Sequence, residues 1–177
     1  MEHNFLSENE VRERLELYED PTVTDELYEF GKFLLTEITD RFSKLDAKST
    51  NLAAYAIAII TFLGATSSNW INRVHKPFGV PLPVWAGIVA FVAAGFAVVS
   101  LFVKKAEWFS QDEWMQKECL TSRERLRKYR LLTMWGILQG HQEACENKAR
   151  FLLIAQRIFT LAVILLFVSL LNAVGIY

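Results

Sequence analysis

Few residues in this chain have types and spacing that could do chemistry. The densest set is Arg123, Arg125, Arg127, Lys128 and Arg130, five cations within eight residues. Arg123, Arg127 and Arg130 stand at i, i+4 and i+7, on one face of a helix. Guanidinium forks on one face suit phosphate oxygens, so the face could bind a nucleotide or an oligonucleotide. The same charges could instead form a solvated face that meets anionic lipid headgroups, and membrane orientation alone requires charges of this kind. Arg157 is the one charge inside a long apolar run, seven residues beyond Arg150. It either lines an aqueous path and attracts anions or snorkels to an interface. Thr61, with Ser67, Ser68 and Asn69, could line the far end of such a path or mark a membrane boundary. His141 and Cys145 stand at i, i+4 and, with Cys119, offer soft metal ligands. A helix with one ordinary His and one ordinary Cys accounts for them better, so no metal and no cofactor is assigned. GxSxG, P-loop, GxGxxG, HExxH and CxxC patterns are absent, and His3, His75 and His141 are far apart. The chain is expected not to be an enzyme.

The charge pattern also reveals the elements that must position these residues. Over 177 residues the chain is 52% hydrophobic with a formal net charge of -1, the figures of an ordinary small domain. Their distribution is not ordinary. Charged residues are absent from 49–72, 77–103 and 158–177, stretches of 24, 27 and 20 residues. At about 1.5 Å per residue each can cross a hydrocarbon core about 30 Å thick. The expected fold is an all-α integral membrane protein with transmembrane helices at about 50–68, 84–103 and 153–175. A soluble domain, a disordered chain and a disulfide scaffold do not fit this segregation.

Residues 1–48 are expected to form N-terminal cytoplasmic helices and 49–177 a membrane domain with a cytoplasmic insertion at 104–150. The acidic start, Met1 to Glu8, lacks a basic segment followed by an apolar one, so no signal peptide is expected. The insertion carries ten Lys or Arg, whereas the link between the first two spans has only Arg73 and Lys76. The positive-inside rule then places the insertion and the N-terminus in the cytoplasm and the C-terminus outside. Cys119 and Cys145 would stay reduced there.

Residues 1–50 hold thirteen Asp or Glu against six Lys or Arg. Ser7 and Glu10 make a capping-box pattern that opens a short helix ending before Pro21. Thr22–Asp25 is a second helix start. Leu27, Phe30, Leu34, Ile38, Phe42 and Leu45 then form an apolar stripe at helical spacing. With no Gly or Pro in 32–63, this helix could run straight into the first span. Trp70, Pro77, Gly79, Pro81 and Pro83 mark 69–83 as a turn with an interfacial aromatic anchor. In the second span Ala86, Ala90 and Ala94, with Ala93 and Ala97, let helices approach closely, within one chain or between subunits. Ser110–Glu113 is a second capping box, followed by Trp114, Leu120, Leu126, Leu131, Trp135 and Leu138 along one face. Gly136 and Gly140 are expected to end or bend this helix, so 104–150 reads as a helical hairpin.

Leu45-Asp46-Ala47-Lys48, just before the first span, resembles the Leu-Asp-x-Lys motif of the three-span membrane effectors in bacterial anti-phage systems, the Pycsar membrane effector above all. Glu146-Asn147-Lys148, with Leu152 and Ala155, resembles that family's second signature, and the order of elements is similar over about 40–177. SLATT-type effectors and the Hailong membrane effector are similar in plan. The resemblance implies an oligomeric channel or pore in a bacterial inner membrane, held quiet until a nucleotide signal releases ion leakage and growth arrest. It also implies a partner enzyme that makes the signal. The Hailong type implies a tetramer and a single-stranded oligodeoxyadenylate. Residues 1–40 contain no recognisable cyclic-nucleotide-binding domain. On this reading the acidic N-terminal segment, docked on the basic insertion, is a candidate gate. A scaffold subunit of a membrane complex and a holin-like toxin are the other classes that the pattern allows.

Overall fold

The computed structural model describes residues 6–17, 20–70, 76–103 and 122–174. Among them every regular element is helical, and three helices are long and apolar enough to cross a membrane. Helix α1 spans Glu8–Glu16, α2 Pro21–Trp70, α3 Leu82–Phe102 and α4 Arg123–Val174.

The helix starts follow local rules. Ser7 Oγ accepts from the Glu10 amide at 3.4 Å, and the Glu10 carboxylate accepts from the Ser7 amide at 2.7 Å, which completes the expected capping box. These bonds, the one from the Ser7 backbone first, hold the Glu10 carboxyl below its usual range. At the head of α2, Pro21 occupies a position where a missing N–H costs nothing. The Asp20 carboxylate accepts from the Thr22 hydroxyl at 2.6 Å and the Thr22 amide at 2.8 Å. Both bonds lower the Asp20 pKa, the hydroxyl's more. Ser122 caps α4 by accepting from the Arg125 amide at 3.1 Å.

α2 joins the N-terminal amphipathic segment to the first apolar stretch in one helix of 50 residues. α4 likewise runs unbroken for 52 residues, through Gly136 and Gly140 and into the third apolar stretch. The expected hairpin turn at those glycines is therefore not made. A glycine costs a helix interior about 1 kcal/mol relative to alanine, which the flanking Leu131, Leu132, Met134, Leu138, Gln139 and Glu143 outweigh. Glycine stops a helix only where the backbone turns left-handed. Among the described residues that glycine is Gly79, φ 79°, which closes the 3-10 turn Pro77–Gly79 ahead of α3. The first arm expected from Ser110–Glu113 lies outside the described residues. So do Arg73, Lys104, Lys105, Trp114, Lys117, Cys119, Leu120, His3 and His75, and the side chains of Ser67, Ser68, Asn69 and Trp70.

The chain divides into two compact units, Met1–Phe42 with Lys104–Cys145 and Ser43–Val103 with Glu146–Tyr177. These boundaries differ from the expected division at residue 48, because the start of α4 groups with the N-terminal residues.

In both units burial follows a repeat of seven. In α4, Met134, His141, Lys148, Ala155, Ala162 and Ser169 are all buried and stand seven apart. In α2, Phe42, Ser49, Ala56 and Leu63 do the same. The buried face of α3 is Pro83, Ala86, Ala90, Ala93, Ala97 and Ser100, alternating steps of three and four. A period of 3.5 keeps one seam against a partner in coiled-coil-like packing. It also corrects two expected stripes. Ala94 leaves the α3 seam because steps of four drift around the helix, and its place is taken by Ala93. Leu27 and Phe30 are exposed and Thr24 and Gly31 are buried, whereas Phe42 is buried as the stripe expects.

The core of the second unit is Leu52, Ala53, Ala97, Leu152 and Ala155, with Leu45, Phe96 and Phe159 packed against it. α3 contributes a seam of alanines and one serine, so α2, α3 and α4 approach closely. This settles the open choice for the alanine seam, which packs within its own chain. The outer faces carry large apolar side chains, among them Phe91, Phe102 and Phe167.

Candidate functional site

Two clusters of charged residues hold the helices of this protein, one in each unit. In the first unit the Arg127 guanidinium donates to Asp25 Oδ2 at 3.1 Å, across α4 and α2. One turn on, the Arg130 guanidinium lies 6.0 Å from the centroid of the Tyr28 ring. Lys32 Nζ lies 4.8 Å from the same ring and donates to Glu29 at 2.6 Å. The bond to Glu29 is the first cause of a raised Lys32 pKa. Gly31 lets the two helices approach here: a Cβ at that position would stand 2.9 Å from Met134 Cγ.

The three arginines of the expected phosphate-binding face therefore have separate situations. Arg123 is exposed at the first position of α4. Arg127 already has a carboxylate, and Arg130 lies against an aromatic ring. Lys128 is turned to Glu124 of its own helix at 3.1 Å. The positive end of the α4 dipole adds to these cations, an arrangement that favours an anion nearby. The Arg127–Asp25 pair leaves the arginine side chain 23% and the aspartate 61% exposed. Pairs so open to water contribute only about 0.2–1 kcal/mol.

The cluster in the second unit is dry. Lys148 has no exposed surface, and its ammonium donates to Asp46 Oδ1, which joins α4 to α2. One turn along α2, Ser49 Oγ gives its proton to the Leu45 carbonyl at 2.9 Å and lies 2.6 Å from Ser100 Oγ of α3. Ser49 and Ser100 are both fully buried. Three helices are thus tied by polar contacts within a single turn. A buried ammonium is tolerated only when paired, because removing it from water costs several kcal/mol.

Comparisons with known proteins add nothing to this geometry. No family model, curated protein or solved structure matches the chain. Any functional reading rests on the residues themselves.

Of the motif positions singled out in the sequence, Asp46 and Lys148 meet directly, although 102 residues separate them. Lys48 is exposed and Asn147 half-buried. Thr61 is exposed and gives its hydroxyl proton to the Ile57 carbonyl at 3.0 Å. Arg157 is exposed too, so both lie on the outer side of the second unit rather than in its seam. His141 is buried and Cys145 half-buried. Among the described residues no three metal-ligating groups come together. Reading by residue type missed the burial of Lys148 and the Ser49–Ser100 contact. The signal was present as the spacing of seven that puts Lys148 in line with Met134, His141 and Ala155.

Proposed function

We propose that this protein is an oligomeric membrane channel or pore-forming effector, regulated by a nucleotide or oligonucleotide signal and acting by ion leakage and growth arrest. The Arg127–Asp25 pair carries the reading. A cation held by an exposed carboxylate, with Arg123 and Arg130 a turn away on either side, can exchange that carboxylate for a polyphosphate at little cost. A phosphate carries more charge and more acceptor oxygens than one carboxylate, so it competes well for the same guanidinium. Exchange would release the N-terminal part of α2 from α4, and α2 continues into an apolar stretch long enough to cross a bilayer. A ligand shifts the closed–open balance only if it binds one state more tightly. Here the open state is the one that frees Arg127 from Asp25.

This assignment puts Arg123, Arg127 and Arg130 on the cytoplasmic side of a bacterial inner membrane. The signal, which the Hailong-type resemblance implies to be a short single-stranded oligodeoxyadenylate, would come from a partner nucleotide-synthesising enzyme. Arg157 and Thr61, on the outer side of the second unit, could line a path only between copies of the chain, as in a tetramer. The test is ion flux in liposomes containing the full chain, with and without a panel of cyclic nucleotides and oligonucleotides. Reversing Arg123, Arg127 and Arg130 to glutamate should abolish both binding and the response. Binding and flux that survive the triple change would remove the site.

One observation favours a second reading, a structural subunit of a membrane complex. The α3 alanine seam is filled by helices of its own chain and is not available to a partner copy. That reading expects no conductance from purified protein. A holin-like toxin, the third class, expects lethality with no signal at all.

A further inference from the structure

The outer face of α4 in the second unit carries two cations that packing does not require. Arg150 and Arg157 stand seven apart, each two positions past a buried seam residue, Lys148 and Ala155. Two positions turn a helix by about 200°, so both arginines lie opposite the seam, on one face. Both are exposed, and among the described residues neither has a hydrogen bond or an ion pair. Around Arg157 on the same face are Leu153, Ile154, Leu161 and Ile164, all apolar and all exposed. A charge set among apolar side chains in a membrane-crossing stretch is costly unless it reaches polar surroundings. The reach needed is short. The expected third span starts at about 153, which puts Arg157 about 6 Å inside it. In a helix the Cα–Cβ bonds tilt toward the N-terminus. α4 enters its apolar stretch from the N-terminal side, so Arg157 leans back toward the boundary, where Arg150 stands. Glu146, one turn before Arg150 on the same face, lies on the far side from the apolar stretch.

We infer that Arg150 and Arg157 bind one anionic phospholipid in the leaflet at which α4 enters. Arg157 holds the phosphate, Arg150 supplies a second positive charge, and the acyl chains lie along Leu153, Ile154, Leu161 and Ile164. The fit is chemical: an amphiphile brings phosphate oxygens for the guanidinium forks and hydrocarbon for the apolar side chains to one face. A soluble nucleotide brings only the first. A second copy of the chain has no carboxylate to offer at this depth, because neither 49–103 nor 151–177 contains an Asp or Glu. Two cations favour an anionic lipid over a zwitterionic one, whose own ammonium already offsets its phosphate. The inference goes beyond the channel reading and does not depend on it. The lipid occupies this face in a single copy, and it would stand at the rim of any path between copies.

The test titrates the full chain, in mild detergent, with phosphatidylglycerol and phosphatidylcholine together. Native mass spectrometry then reads which lipid binds first and how many chains assemble. Phosphatidylglycerol should be preferred, and the preference should persist in concentrated ammonium acetate, because a seated headgroup is screened less than a diffuse one. Arg157→Leu and Arg150→Leu should each lower the preference about fivefold at unchanged helix content. Arg157→Gln, which also lacks the charge, gives the same reading where the leucine variant loses helix content, and Arg157→Lys should keep most of the preference. Excess inorganic phosphate should leave it intact, which separates a lipid from a free anion. A preference unchanged in both neutral Arg157 variants would overturn the site, as would one that concentrated salt or inorganic phosphate removes. A changed subunit number with unchanged lipid preference would assign the face to a second copy and overturn it too.

Discussion

The two inter-helix ion pairs of this protein have the same sequence separation and opposite surroundings. Asp25 pairs with Arg127 and Asp46 with Lys148, each across 102 residues, so in each unit α2 and α4 run parallel in the same register. In the first unit both partners meet water. In the second the cation meets none. The same charge chemistry therefore produces a weak contact in one unit and a strict requirement in the other. Burial decides this, because the cost of an unpaired charge rises as water is removed. The exposed pair can be lost at little cost, and the buried pair cannot.

Removal of one partner tests the difference most sharply. Asp46→Ala leaves the buried ammonium without its carboxylate and should cost about 3–5 kcal/mol, measured by thermal or denaturant unfolding in detergent. Lys148→Met leaves only a half-exposed carboxylate behind and should cost less. Equal losses would contradict the asymmetry. Close packing of the second unit gives the next largest effect. Ala90→Leu places a larger side chain in a fully buried seam position and should cost about 1–3 kcal/mol by the same measurement. Gly31→Leu is the matching change in the first unit, where even a Cβ meets Met134 Cγ at 2.9 Å. It should also cost about 1–3 kcal/mol, less where the methionine can move aside.

The exposed pair should give a much smaller signal. Asp25→Asn is expected to cost less than about 1 kcal/mol and to lose even that in high salt. A loss as large as that of Asp46→Ala would erase the distinction between the two units. The smallest expected effect is at the helix starts. Glu10 and Asp20 are held below their usual pKa by hydrogen bonds in the folded state. Their contribution is therefore complete above the ordinary carboxylate range and lost as pH falls through the lowered values. Helix content of α1 and the head of α2, followed by circular dichroism, should hold steady from neutral pH and decline only in acid. Glu10→Gln should remove much of that decline for α1.

Much of the architecture was legible in the residues, for physical reasons. Uncharged stretches of 20 or more residues permit little besides a membrane-crossing helix, and the Ser7–Glu10 cap follows from side chains three positions apart. The turn at Gly136 or Gly140 was misread, since a glycine's effect depends on whether the helix beyond it gains enough to continue. The apolar stripe of α2 was misplaced by Leu27 and Phe30, because stripe spacing alone does not separate a period of 3.6 from one of 3.5 over four turns. The Arg123–Arg130 run was visible, but its division among Asp25, Tyr28 and Glu124 was not, since two of those three partners lie on another helix.

By itself, the sequence determined the number of long apolar helices, their order, the Ser7–Glu10 cap of α1 and the opposition between an acidic N-terminal segment and a basic one before the third stretch. These follow from interactions within a few residues and from the cost of placing charge in hydrocarbon. The tertiary structure decided which charge is paired with which, and which pairs are dry. Lys148 and Arg127 are both cations on one helix, 21 positions apart. Tertiary packing covers the first completely and leaves the second partly open to water.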